Sequence, residues 1–165
     1  MDWLTNVERR QLGDTDILLS PLGLGTVEMG MPYGIGKPEP PADQVCIALL
    51  HRAVERGINY IDTAAGYGRS EEIVGKAFAD FGDRPLIGTK VYLRAPGTPK
   101  TTTGDWLQTY VEESVQQSIK RLCTDPLDLL QLHNALDEDL TPELLGIVVD
   151  LQQRGLVKHL GATTY

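Results

Sequence analysis

The chain has 165 residues, 41% hydrophobic and 23% charged, which supports one sizeable core and excludes a disordered tail or a fibre. Lys+Arg total 15 against 23 Asp+Glu, a formal net charge of −8, so the clustered positive surface that tracks nucleic-acid phosphates is not expected. No apolar run approaches the roughly 20 residues that cross a bilayer, and the start Met1-Asp2-Trp3 lacks a basic-then-apolar leader, so a soluble cytoplasmic protein with no membrane partner is expected.

The first element reads as a hairpin: Glu8-Arg9-Arg10-Gln11-Leu12 and Ile17-Leu18-Leu19 flank the turn Gly13-Asp14-Thr15-Asp16. Pro21-Leu22-Gly23-Leu24-Gly25 is a candidate buried strand. Over Asp43–Arg56, Ile47, Leu50, Ala53 and Val54 share one helical face, and Gly57 follows as a stop. Ile58-Asn59-Tyr60-Ile61 is strand-like and ends at Asp62. Ser70 is a candidate helix cap, with Glu71 and Glu72 matching the positive helix N-terminus and Ile73, Val74 and Ala77 as the apolar face. Leu86–Thr89 is the next strand, ending at Lys90. A helix is expected from Asp105 to Leu122, a strand from Leu127 to Leu132 ending at His133, and a helix capped by Thr141 with Pro142 at its first position. Gly155 closes that helix, and Val157–Ala162 is a fifth strand. Cys46 and Cys123 fall in the helical segments and are too few for a disulfide framework.

The chain thus reads as a single domain over 1–165, a hairpin at 7–19 followed by βα units over 20–165. Strict alternation implies parallel strands joined by right-handed helical crossovers. A doubly wound open sheet and part of an eight-stranded barrel both satisfy the pattern.

The strand ends carry the chemistry. Three consecutive apolar strands terminate in Asp62, Lys90 and His133, and Tyr67 lies in the short loop after Asp62. In a parallel α/β sheet all strand C-termini lie on one face, where sites form. A single polar strand end has an ordinary explanation, since the chain leaves the core there. Four compatible groups on one rim ask for more. A carboxylate holds a Lys ammonium in place, and the cation favours phenolate, lowering the Tyr67 pKa from its usual value of about 10. Such a phenol can protonate a carbonyl oxygen that gains charge during hydride attack, while His133 donates a hydrogen bond to the same oxygen. No side chain supplies hydride, so a cofactor must.

The stretch Gly57-Ile58-Asn59-Tyr60-Ile61-Asp62-Thr63-Ala64, continuing through Tyr67-Gly68 and Ser70-Glu71, resembles the signature of the aldo-keto reductases. So do Thr89-Lys90, Ser118-Ile119-Lys120-Arg121-Leu122 and Asp128-Leu129-Leu130-Gln131-Leu132-His133. The resemblance implies a (β/α)8 barrel of TIM type with an N-terminal hairpin plugging its bottom. It implies a catalytic tetrad of Asp62, Tyr67, Lys90 and His133, NADPH (NADP) as hydride donor, and a small-molecule carbonyl substrate. It places Gly25, Thr26 and Asp62 beside the nicotinamide, and puts Thr163 and Thr164 where the family has a Ser-Asn-like pair holding the carboxamide.

The chain departs from that pattern in extent. A full barrel takes about 250 residues and eight strands, and five are counted here. The family's aromatic residue stacked on the nicotinamide and its 2′-phosphate-binding basic residues belong to later strands. The expectation is therefore a partial barrel, with a truncated, inactive fragment or binding module as the alternative to a reductase. Open edges of such a sheet invite self-association.

Other signals are discounted. Gly34-Ile35-Gly36-Lys37 lacks the Gly and Ser/Thr of a phosphate-binding loop, having Met31 and Pro38 there. Gly23-x-Gly25 lacks the third Gly of a dinucleotide fingerprint. His51, His159 and the two cysteines show no metal-ligand spacing. Trp3 and Trp106 read as packing residues, and the Gly/Pro-rich segment Val27–Pro41 reads equally as a pocket wall or a surface loop, as Asn134 does as a site or structural residue.

Overall fold

In a computed structural model, residues 7–36, 38–94, 97–99 and 102–164 are described; Trp3, Lys37 and Tyr165 lie outside them. Strands β1 (Arg10–Gln11) and β2 (Leu18–Leu19) pair antiparallel, Arg10 opposite Leu19. Their turn is closed by Leu12 N–H donating to Ile17 O at 2.9 Å and by the Thr15 hydroxyl donating to Leu12 O at 2.6 Å. Asn59 fastens this hairpin to the main sheet. Its amide donates to Leu18 O (2.7 Å), its Oδ1 accepts from Ser20 N–H (2.6 Å), and its own N–H donates to Ser20 Oγ (3.1 Å).

The main sheet consists of β3 (Leu24–Gly25), β4 (Tyr60–Asp62), β5 (Leu86–Val91), β6 (Leu127–Leu132) and β7 (Val157–Ala162). All neighbours are parallel, and the spatial order is the sequence order. A doubly wound sheet reverses its order part-way; this one never does. With every crossover in one direction, the helices fall on one side, as in the first five units of a (β/α)8 barrel.

The crossovers are α1 (Val27–Gly30), α2 (Asp43–Glu55), α3 (Ser70–Phe78), α4 (Trp106–Leu122) and α5 (Pro142–Gln153). The short helix α1 lies within the segment Val27–Pro41, which carries no helical periodicity. Helix α5 begins as its sequence predicts: Thr141 Oγ1 accepts from Leu144 N–H at 3.2 Å and Pro142 occupies the first turn. Ser70 corrects the capping expectation. It is the first helical residue, and its hydroxyl is committed to Thr26 and Thr63 instead of the helix N-terminus.

Helices and sheet bury one layer between them. Leu50, Ile73, Val74, Val111, Val115, Leu144 and Leu151 meet the sheet's outer-facing Ile61, Ile87, Leu130 and Leu132, all buried. Each such aliphatic side chain contributes roughly 1.5–3 kcal/mol on burial. Helices α3 and α4 approach so closely that a Cβ on Gly75 would stand 2.1 Å from Arg121 O. At the opposite end from the strand C-termini, buried Asp128 clamps three strands. It accepts from Arg84 (2.5 and 2.9 Å), Lys158 (2.9 Å) and the Ile87 N–H (3.1 Å). Strand β7 has a partner on one side, and an apolar groove of about 300 Å³ beside it is lined by Leu130, Leu145, Val149 and Leu160.

Candidate active site

Strand register decides which side chains meet. Gly25 pairs with Asp62 and Asp62 with Gly88, so all three address the concave face. Lys90, two residues beyond Gly88, addresses the same face and pairs with Gln131; His133 lies two beyond Gln131. Asp62, Lys90 and His133 therefore reach one rim. The loop after Asp62 brings Tyr67 to them, anchored where Thr63 N–H donates to Gly88 O (2.9 Å) and Ala65 N–H to Lys90 O (3.3 Å).

Lys90 is the hub. Its side chain is 4% exposed, and Nζ donates to Asp62 Oδ2 (2.7 Å), Thr63 O (2.8 Å) and the Tyr67 phenol oxygen (3.5 Å). Nζ also lies 4.9 Å from the Tyr67 ring centroid. The His133 ring meets that of Tyr67 edge-on, centroids 5.6 Å apart, and the Tyr92 ring flanks His133 at 5.2 Å. Burial, and then the Lys90 charge, hold His133 below the ordinary imidazole value of 6.5, with Asp62 pulling weakly the other way. Nδ1 of His133 is buried with no hydrogen-bond partner among the described residues. Protonation would place an N–H there with no acceptor, so geometry and electrostatics both favour the neutral ring.

The residues expected to meet a cofactor are placed differently from one another. Gly25 has open space where a Cβ would stand. Thr26 is fully buried; its hydroxyl donates to Asp62 O (2.9 Å) and meets Ser70 Oγ at 2.6 Å. Its side chain thus supports the end of β4 from within. The Thr163 hydroxyl accepts from Asn134 N–H at 2.8 Å, joining the end of β7 to the residue after His133, which adopts φ 54°. Thr164 is exposed at the rim.

Sequence reasoning missed Tyr60 and Gln131, which lie on the concave face below Asp62 and His133. The signal was available, since each stands two residues before a predicted site residue on the same strand. It also missed the buried hydroxyl cluster of Thr26, Thr63 and Ser70, whose members come from three separate segments. Among the described residues, no group of His, Cys, Asp and Glu could hold a metal ion, and no helix is long and apolar enough to cross a membrane.

The profile of the Aldo/keto reductase family matches residues 21–165. The chain belongs to the aldo/keto reductase family. It is 32% identical over 160 residues to the uncharacterized oxidoreductase YqkF of Bacillus subtilis (strain 168), covering 96% of this chain and 49% of that protein. It is also 32% identical to the aldo-keto reductase YhdN of the same organism, covering 96% of this chain and 47% of that one. Among solved structures, the holo form of the aldo-keto reductase AKR11C1 from Bacillus halodurans superposes with a TM-score of 0.78 at 28% identity, covering 96% of this chain and 51% of that one. The chain thus spans about half the length of these aldo/keto reductases.

Proposed function

We propose that this chain carries the proton-delivering site of an NADPH-dependent reductase that converts small aldehydes or ketones to alcohols. The observation that carries the reading is the position of the Lys90 ammonium between Asp62 Oδ2 (2.7 Å) and the Tyr67 phenol oxygen (3.5 Å), with His133 edge-on to Tyr67. When bound, NADPH supplies the hydride that no side chain can. Tyr67 gives its proton to the carbonyl oxygen as charge grows there, and Lys90 stabilises the phenolate left behind. Asp62 and Thr63 O keep the ammonium from drifting. His133, neutral, donates from Nε2 to the same substrate oxygen and orients it. For the cofactor, the bare inner face at Gly25 would leave room for the nicotinamide, and the exposed Thr164 would offer a hydroxyl to its carboxamide while the Thr163 hydroxyl stays bonded to Asn134. Thr26 supports that surface from below. Cys46 and Cys123, both free thiols, support a reducing, cytoplasmic setting.

The purified chain should oxidise NADPH in the presence of a simple aldehyde, and Tyr67→Phe should lower that rate at least about 100-fold. Equal rates for the two proteins would remove the proposal. A second reading has one observation in its favour. The apolar groove beside β7 is open, with Leu140, Leu145 and Val149 exposed. On that reading the chain alone is a non-catalytic module or fragment that retains the tetrad but holds the cofactor weakly. Fluorescence titration separates the two, because the second predicts no NADPH binding at millimolar concentration.

A further inference from the structure

Below the rim, the Tyr60 ring lies across the concave face of the sheet. A Cβ on Gly88 would stand 2.4 Å from the Tyr60 hydroxyl, and one on Gly23 would stand 2.7 Å from its Cδ1. The ring thus occupies space that only glycines on both sides leave free. A phenylalanine would keep the ring between the same glycines, its Cε2 still 3.0 Å from a Cβ on Gly88, so the role of the hydroxyl is read from its polar surroundings. The Tyr60 oxygen is 3.4 Å from Asp62 Oδ1, to which it donates, and it accepts from Gln131 Nε2, also at 3.4 Å.

Asp62 has two oxygens with different duties. Oδ2 holds Lys90; Oδ1 has Tyr60 as its sole hydrogen-bond donor among the described residues. Because Gln131 supplies a hydrogen to the phenol oxygen, the phenol's own hydrogen is left to point at the carboxylate. Burial, and then the adjacent Asp62 charge, push the Tyr60 phenol far above its ordinary value of 10, so it is a donor at neutral pH.

We propose that Tyr60, oriented by Gln131, is a positioning residue that holds Asp62 from below, so that one carboxylate oxygen faces Lys90 and the ammonium stays within reach of Tyr67. The consequence for turnover rests on the reductase reading; the contact itself does not. Two measurements on the full chain test it. With ring-labelled tyrosine at neutral pH, the Tyr60 Cζ shift, which reports the phenol's hydrogen bond, should move in Asp62→Asn, where a neutral amide oxygen replaces the charged acceptor. In turnover, Tyr60→Phe should lower kcat about three- to tenfold, the range for losing one hydrogen bond to a charged group at long distance, with KM for the aldehyde unchanged. Gln131→Leu keeps the phenol but frees its orientation, and should give a smaller loss in the same direction. If the parent chain oxidises no NADPH, the reductase reading fails and the Tyr60 shift alone decides. A Tyr60 signal indifferent to Asp62→Asn, or Tyr60→Phe with the parent's kcat, overturns the proposal.

Discussion

Replacing Asp128 by Asn should destabilise the fold while leaving the rim intact. The carboxylate receives two bonds from Arg84, one from Lys158 and one from the Ile87 N–H. An amide of the same shape cannot serve four donors, and its NH2 would face the guanidinium in either orientation, together with the Ile87 N–H or the Lys158 ammonium. Removing one member of a buried pair costs about 3–5 kcal/mol, and since the Arg84 and Lys158 side chains are 29% and 49% exposed, water recovers part of that. We expect a loss of about 3 kcal/mol, which at a urea slope of roughly 1–3 kcal/mol/M moves the midpoint down by about 1–3 M at pH 7. The pH dependence has a definite sign. Burial works to raise the Asp128 carboxyl, but the bonds from Arg84 and Lys158 win and hold it below the ordinary 3.8. A depressed carboxyl contributes stability that is present above its ordinary value and is lost as pH falls through the folded value. The gap between parent and variant should therefore narrow below pH 3.8. A midpoint change equivalent to less than about 1 kcal/mol at pH 7, or a gap indifferent to acid, would refute the reasoning.

Gly75→Ala drives a methyl into Arg121 O, a backbone atom that cannot swing aside, so it should cost about 3 kcal/mol in urea unfolding and separate α3 from α4. A neutral effect would mean the helices slide apart freely. His133, held below 6.5, excludes a proton on folding, so stability should rise with pH between its folded value and 6.5 and be flat above. That slope should vanish in His133→Gln when unfolding is followed across the window. We also propose that the apolar groove beside β7 drives self-association: sedimentation velocity should show larger species with rising concentration, and Leu145→Glu with Val149→Glu should return a monomer. Identical profiles for both proteins would count against the groove.

The alternation of strands and helices was legible because α2 to α5 each show one apolar stripe and β4 to β7 each a short apolar run, whereas the four-residue α1 has no stripe to read. Asp62, Lys90 and His133 were legible together because a parallel sheet sends all strand C-termini to one rim. What the pattern left open, barrel-type or doubly wound, is a matter of strand order, which no local periodicity encodes. Pro21–Gly25 yields only the two-residue strand Leu24–Gly25, since pairing with β4 begins at Leu24. Ser70 has the composition of a cap, yet tertiary hydroxyl partners at Thr26 and Thr63 compete for it and prevail. Tyr60 read as one more strand aromatic because its role depends on glycines 37 residues before it and 28 after it in the chain.

The three hydrogens of the Lys90 ammonium are all engaged, by a carboxylate, a peptide oxygen and a phenol, and the side chain has almost no surface of its own. An amine in that condition has no lone pair to offer an electrophile. Acylating reagents that label surface lysines within minutes should pass it by, and the appearance of a label on Lys90 would report that the rim had come apart before any loss of helix or strand was visible.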